Sequence, residues 1–182
     1  KADEIVHILS KVAGSAIVYV RNRQRTQELA YYLNEKGISA DYYHAGLSAK
    51  ERSQKQEAWK KFKVESLKLK VESQGTRVIV ATNAFGMGID KPDVRVVIHH
   101  DLPDTIEAYF QEAGRAGRDQ QKAFAVLLYD PSDKTKAHKR IGDNYPDPDT
   151  LQNVYHKVCN YLGVGADSGL GACFFVDMFD LC

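Results

Sequence analysis

The chain has 182 residues, of which 43% are hydrophobic and 27% are charged, values typical of a globular protein with a sizeable core rather than of a disordered or fibrous chain. Its 25 Lys and Arg residues nearly balance its 24 Asp and Glu residues, which leaves a formal net charge of +1. A nucleic-acid partner would therefore have to be bound by a local patch and not by an overall positive field. No apolar run approaches the roughly 18 residues of a membrane span, so we expect no membrane partner.

Runs rich in β-branched residues alternate with helical patterns along the chain. The predicted strands are 16–20, 38–44, 77–82, 95–100 and 124–129, and the predicted helices are 25–36, 48–62, 105–113, 131–141 and 151–162. Ser48, followed by Glu51 three residues later, is typical of a helix start with a capping box, and Gly37 is typical of a left-handed helix end. This alternation predicts an α/β fold, a parallel sheet with helices on both faces.

Two stretches depart from the alternation. Residues 63–73 contain the sequence KVES twice, and we interpret them as a helix extension or a surface insertion rather than as a binding element. Residues 142–150 carry two prolines and three aspartates, a composition typical of a linker. We therefore predict one domain over 1–142, and over 143–182 a linker with the start of a truncated accessory region that includes a short helical extension.

The three cysteines, Cys159, Cys173 and Cys182, all lie in the last quarter of the chain. An odd number without a CxxC pair indicates a reducing intracellular compartment and no disulfide framework. Their spacing matches no zinc-binding pattern, so no zinc is expected. The first residue is Lys1 and the last stretch is apolar, and we interpret the chain as a piece of a longer protein.

The strongest chemical signal is the segment QEAGRAGR at 111–118. Arg115 and Arg118 are three residues apart, so on a helical turn their guanidinium groups would project from one face, with Gly114 and Gly117 reducing the bulk beside them. Arginine binds phosphate oxygens with two parallel hydrogen bonds, which favours a triphosphate ligand. An arginine that reaches a γ-phosphate typically accelerates phosphoryl transfer by about 10³–10⁵. The alternative is a solvated basic turn or a salt-bridged helix end.

A second signal follows the predicted strand 77–82, where Gly86 and Gly88 lie in a loop. Ligands of parallel α/β sheets bind at the carboxyl ends of strands, so this loop is a candidate binding segment. Thr82 can donate its hydroxyl to a phosphate, and Asp90 can either accept from a ribose hydroxyl or hold an arginine.

The ends of the first two predicted strands carry further candidates. The segment RNR at 21–23 could bind backbone phosphates at a helix start. His44 could contact a phosphate or a sugar, although an isolated histidine is more often structural. We assign Trp59 to the core and give His99 and His100 no functional role.

The segments SAIVYVRNR, YYHAGL, VIVATNAFGMGIDKPDVR and YFQEAGRAGRD resemble motifs IV, IVa, V and VI of superfamily 2 helicases. The last two are similar to the RecQ family of DNA helicases rather than to DEAD-box RNA helicases. The resemblance covers about 16–141. It implies the second RecA-like lobe of an ATP-dependent 3′-to-5′ DNA helicase, with ATP and Mg²⁺ as cofactors. The implied partners are single-stranded and forked DNA and the first RecA-like lobe of the same protein. The implied location is cytoplasmic (the nucleoid) or nuclear.

The resemblance also implies residue roles. Arg118 would be the arginine finger and Arg115 its partner on the γ-phosphate. The implied nucleotide-binding residues are Gly88, Asp90 and Gln111. The implied contacts with the single-strand backbone are Asn22, Arg23, His44, Thr82 and Asn83.

The chain also departs from the family pattern. It contains neither GxxxxGK[ST] nor DExH, so the phosphate cradle and the magnesium carboxylate would lie on the first lobe. We therefore expect this chain alone to be inactive. The cysteines do not match the four-cysteine zinc module that commonly follows this lobe. The alternative function is a non-catalytic RecA-like module that binds nucleic acid or protein.

Overall fold

A computed structural model describes residues 1–62, 75–86 and 90–161. The strands are β1 (Ser15–Tyr19), β2 (Ala40–Tyr43), β3 (Val78–Ala81), β4 (Val94–His99) and β5 (Phe124–Leu127). The helices are α1 (Ala2–Lys11), α2 (Arg23–Glu35), α3 (Ala49–Lys61), α4 (Ile106–Ala113), α5 (Pro131–Asn144) and α6 (Pro148–Tyr161).

The five strands form one sheet in the order β2-β3-β1-β4-β5, and every neighbouring pair is parallel. Ile17 at the centre of β1 pairs with Ile79 of β3 on one side and with Val97 of β4 on the other. The predicted α/β architecture is confirmed. Because the strands are parallel, their carboxyl ends all lie at one edge of the sheet.

The side chains of β1 alternate between two apolar layers. Val18 packs into a cluster with residues of α1 and α2, such as Leu29. Ile17 faces the opposite layer, where Trp59 of α3 is fully buried beside Phe85. The Trp59 indole donates a hydrogen bond to the Ala16 carbonyl at 3.2 Å, which confirms it as a core residue. Helices therefore cover both faces of the sheet, as predicted.

Local capping agrees with the sequence patterns. Ser48 and Glu51 form the predicted capping box at the start of α3. Gly37 follows α2 with a φ of 76°, a conformation that a residue with a Cβ rarely adopts. Asn22 caps α2 and Thr105 caps α4 through their side chains.

The first helix is an addition to the predicted elements. Within α1, Ile5 and Leu9 are buried against the sheet. Their spacing of four residues places both on one helical face, which is the periodic signal that predicts such a helix.

The predicted linker at 142–150 is shorter in the structure. Helix α5 continues to Asn144 and α6 begins at Pro148. Proline suits the first helical position, and the Asp147 carboxylate caps the new helix by accepting from the Thr150 N–H at 2.8 Å. By their contacts, the residues form two units, Lys1–Ala137 and His138–Cys182.

Several predicted features lie outside the described residues: the KVES repeat at 63–73, Gly88, Cys173 and Cys182. Cys159, in α6, is a buried free thiol. Within the described segments, no helix is both long and apolar enough to cross a membrane.

Candidate active site and nucleic-acid interface

A cavity of about 120 Å³ opens at the carboxyl edge of the sheet. Its walls come from the ends of β1 and β4, from the loop after β3 and from α4. The lining includes Tyr19, Arg21, Asn83, His99, Asp101 and Glu112. Ligands of parallel α/β sheets bind at this edge.

The arginine turn, residues 114–119, follows the end of α4 at Ala113. The prediction that Arg115 and Arg118 lie on a helical turn is wrong for the backbone. Gly117 adopts a left-handed φ of 69°, and its N–H donates to the Val94 carbonyl of β4 at 3.0 Å. This hydrogen bond fastens the turn to the sheet, beyond the C-cap of α4 at Gly114. The Arg115 side chain nevertheless contacts Gly86, and the Arg118 side chain contacts Asp90.

Arg115 is directed toward Gly86. Its Nη1 donates to the Gly86 carbonyl at 2.7 Å. A Cβ at Gly86 would lie only 2.5 Å from Arg115 Nη2, so glycine is required for this close approach. The Arg115 Nε atom is buried and has no hydrogen-bond partner among the described residues. Arg115 is thus held in one orientation while part of its donor capacity stays unused.

Arg118 is directed toward Asp90 and is more exposed. Its Nη1 lies 3.5 Å from Asp90 Oδ1, and the two side chains are 42% and 86% exposed. Asp90 could accept from a ribose hydroxyl or hold an arginine, and its contact with Arg118 is of the second kind. A pair this exposed typically contributes about 0–1 kcal/mol, so a stronger anion can compete for the guanidinium. Gln111 lies exposed on the last turn of α4.

His99 and Glu112 form a buried pair that the sequence reasoning missed. His99 is fully buried at the end of β4, and its Nε2 lies 2.9 Å from Glu112 Oε2. The His99 ring stacks on Tyr19 with centroids 5.5 Å apart. The signal available in the sequence was a histidine ending an otherwise apolar strand, with an acidic residue inside the QEAGRAGR segment.

The predicted DNA contacts on β2 and α2 surround His44, whose side chain is 7% exposed. Its Nε2 lies 3.4 Å from Gln27 Nε2, and its Nδ1 is buried without a partner among the described residues. Burial lowers the pKa of His44, and the positive charges of Arg23 and Lys55 lower it further. A Cβ at Gly46 would lie 3.2 Å from both Arg23 Nη1 and His44 Nδ1, so both side chains converge on this glycine.

The remaining predicted DNA contacts have different surroundings. Asn22 Oδ1 accepts a hydrogen bond from the backbone N–H of Gln24 at 2.8 Å, so this oxygen caps the start of α2. Thr82 is 7% exposed at the end of β3. Asn83 is exposed on the cavity wall. Since β1, β2 and β3 are neighbours, all five predicted contacts follow strands at the same edge of the sheet.

Asp101 anchors the segment after β4. Burial alone would raise its pKa, but hydrogen bonds from the His100 ring and the Arg21 N–H outweigh burial and lower the pKa of Asp101 to about 2. The Arg21 side chain in turn pairs with Asp104 at 2.5 Å. The sequence reasoning left His100 without a role and did not identify this network.

The described residues contain no group of three or more His, Cys, Asp or Glu side chains placed to hold a metal ion.

The parallel sheet, with basic side chains at its carboxyl edge, is the architecture of a RecA-like helicase lobe. The family model described as the helicase conserved C-terminal domain matches residues 1–120, and the chain belongs to this family. The solved structure of the E. coli DEAD-box protein SrmB has a TM-score of 0.63 at 29% identity, covering 81% of this chain and 79% of that one. The RecA-like fold class is confirmed.

RecQ helicases are among the curated relatives. The chain is 45% identical over 132 residues to the ATP-dependent DNA helicase RecQ of Pasteurella multocida, covering 72% of this chain and 19% of the relative. It is 42% identical over 141 residues to the ATP-dependent DNA helicase Q-like 2 of Arabidopsis thaliana, covering 78% and 18%. The resemblance to the RecQ family is confirmed. The chain spans about a fifth of the length of these relatives.

Proposed function

We propose that this chain is the second motor lobe of an ATP-dependent 3′-to-5′ DNA helicase. In this proposal the arginine turn acts on the terminal phosphates of ATP held against a first RecA-like lobe of the same protein. The single observation that carries the proposal is that two arginines of one turn reach the segment after β3, Arg115 at Gly86 and Arg118 at Asp90. We assign 1–142 to the motor lobe and 143–182 to a linker and the start of an accessory region.

The two arginines differ in a way that suits two roles. Arg115 is fixed by Gly86 and would orient the γ-phosphate as a rigid donor. Arg118 makes a weak, exposed contact and can exchange Asp90 for a phosphate as charge develops during transfer. Asp90 would hold the finger in place before ATP arrives, with Gln111 and Gly88 as further nucleotide contacts.

DNA would be bound at the carboxyl ends of β1, β2 and β3. Arg23 supplies a cation and Asn83 a side-chain amide at this edge, while Asn22, His44 and Thr82 would complete the contacts with the backbone. Phosphate contacts carry little sequence information, as a translocating protein requires. The net charge of the chain is only +1. We therefore expect it to bind single-stranded DNA weakly and in a salt-dependent way, with a Kd on the order of 10⁻⁴–10⁻⁶ M.

The proposed cycle couples these two sites. ATP supplies the phosphoryl group whose transfer to water drives the motor, and Mg²⁺ would be held by the first lobe. With ATP bound, the arginine turn would be drawn toward the first lobe and close the cleft. Once the phosphate leaves, the arginine turn would lose its anion and the cleft would open. Since both lobes would hold the same strand, each cycle would move the protein along DNA.

The test compares the isolated 182-residue chain with the complete protein that contains it. We expect the complete protein to hydrolyse ATP with stimulation by single-stranded DNA, and to unwind a forked duplex with a 3′ tail. We expect the isolated chain to do neither. Turnover by the isolated chain would contradict the division of the site between lobes. A complete protein that binds DNA without hydrolysing ATP would favour the non-catalytic alternative, and stronger stimulation by RNA of matched sequence would reject DNA as the substrate.

A further inference from the structure

We propose that Glu112 and His99 are positioning residues for Arg115, acting through Tyr19 and the loop after β3. The kinetic consequence rests on the proposed function, whereas the positioning itself is a property of this chain alone.

The pair is shielded from water. His99 is fully buried and the Glu112 side chain is 13% exposed. A carboxylate only accepts hydrogen bonds, so Nε2 is the protonated ring nitrogen that donates to Glu112 at 2.9 Å. Glu112 thereby fixes both the tautomer and the orientation of the ring. The His99 ring packs against two aromatic rings, with centroid distances of 5.5 Å to Tyr19 and 5.0 Å to Tyr109.

Tyr19 connects the His99 ring to the loop after β3. Its hydroxyl donates to the Phe85 carbonyl at 2.9 Å. Burial raises the pKa of Tyr19 well above its usual range, and the positive charge of Arg115 opposes this rise. The hydroxyl is therefore a fixed donor close to the Arg115 guanidinium.

These contacts form a closed cycle that begins and ends at Glu112. Gly86, the residue after Phe85, accepts from Arg115 Nη1 at 2.7 Å. The Arg115 N–H donates to the Glu112 carbonyl at 3.2 Å. Glu112 is thus linked to Arg115 twice, through the backbone of the arginine turn and through the buried side chains. A side chain anchored from two directions keeps its geometry, which is what a transition-state donor needs.

The consequence for turnover follows from geometry. A displacement of about 1 Å in a reacting or stabilising group can cost about 10²-fold in rate. In the complete protein we therefore expect Glu112→Ala to lower kcat for ATP by about 10–100-fold. The KM for ATP should change little, because Glu112 does not touch the nucleotide.

The direct test measures hydrogen exchange of the Arg115 Nε–H by NMR in the 182-residue chain. This atom is buried, so its exchange is slow as long as the guanidinium keeps its position. We expect Glu112→Ala to accelerate this exchange by about 10-fold or more. Glu112→Gln should restore it, since the amide oxygen still accepts from His99. Glu107→Ala, which removes the same charge from an exposed site on α4, is the matched control and should leave it unchanged.

If Glu112→Ala fails to fold, Tyr19→Phe, which removes only the hydroxyl, tests whether Arg115 is positioned through Tyr19. Faster Arg115 exchange in this variant supports the inference, and unchanged exchange overturns it. Exchange and kcat that match the wild type in a folded Glu112→Ala variant also overturn it. If the complete wild-type protein has no ATPase activity, the proposed function fails, and the exchange experiment still decides whether Arg115 is positioned in this way.

Discussion

Arg115 donates a hydrogen bond from Nη1 to the carbonyl of Gly86 at 2.7 Å and thereby fastens the arginine turn to the loop after β3. The two residues are 29 positions apart in the chain, and Arg118 contacts Asp90, four positions after Gly86. Contacts within the protein therefore orient both cationic groups. Such preorganisation lowers the cost of stabilising charge in a transition state.

We predict that Gly86→Ala displaces the Arg115 guanidinium. The added Cβ would lie 2.5 Å from Arg115 Nη2, closer than real contacts allow, so the side chain has to move. In the complete protein we expect kcat for ATP to fall by about 10–100-fold with little change in DNA affinity. Stopped-flow phosphate release and a fluorescence anisotropy titration measure the two effects.

The matched control for this substitution is Gly142→Ala. Among the residues that the structure describes, none has an atom within 4 Å of a Cβ at Gly142, which is in α5. Replacing a helical glycine by alanine stabilises a helix by about 0.5–1 kcal/mol. Gly142→Ala should thus keep full activity. Equal activity in the Gly86→Ala variant would show that the Arg115–Gly86 contact has no part in turnover.

We predict that Arg23→Ala weakens binding of single-stranded DNA by a uniform factor across sequences. Arg23 lies beside His44 at the carboxyl edge of the sheet and would contact a phosphate. The logarithm of the association constant falls linearly with the logarithm of the salt concentration, and loss of one phosphate contact lowers the magnitude of this slope by about 1. Titrations of a labelled oligonucleotide between low and moderate salt measure this slope.

The control for this prediction is Lys134→Ala, which removes one positive charge from an exposed site on α5. It should leave the slope unchanged. If Arg23→Ala and Lys134→Ala give the same slope as the wild type, the DNA contact does not involve the α2 start.

We predict that Asp101 stabilises the fold in a pH-dependent way. Its folded pKa of about 2 lies below the ordinary value of about 3.9 for an aspartate. The stabilisation is therefore complete above pH ~5 and is lost as the pH falls through about 2. Because the side chain is partly exposed, the effect is on the order of 1–2 kcal/mol.

Urea unfolding of the wild type and of Asp101→Asn at several pH values measures this effect. We expect the difference in the free energy of unfolding to be constant above pH ~5 and to shrink toward pH ~2. A difference that stays constant over the whole range would exclude Asp101 as the group responsible.

Much of the fold follows from local patterns in the sequence. The run RVIVAT predicts a buried strand because β-branched residues on both faces suit a sheet covered by helices, and β3 occupies Val78–Ala81. The capping box of Ser48 and Glu51 marks the start of α3 for the same local reason. These elements depend on residues only a few positions apart, so the sequence alone can predict them.

The sequence-based predictions fail where the structure depends on contacts between residues that are far apart in the chain. The arginine turn lies outside α4, and its Gly117 adopts a left-handed φ and pairs with Val94, 23 positions earlier. Periodicity within the segment cannot reveal such a pairing. The His99–Glu112 pair likewise forms only when β4 and α4 meet. Residue types at this edge could be predicted from the sequence, but their mutual orientation depends on tertiary packing.

The central claim is that Arg118 neutralises a phosphate anchored by a neighbouring lobe. The most direct measurement is ATP turnover and ATP affinity of the complete protein carrying Arg118→Ala, with Lys134→Ala as the control of equal charge. We predict that turnover falls by about 10³-fold or more, whereas the affinity for ATP changes less than about threefold because most phosphate contacts would come from the first lobe. Turnover close to that of the wild type would contradict the assignment and move the arginine finger elsewhere.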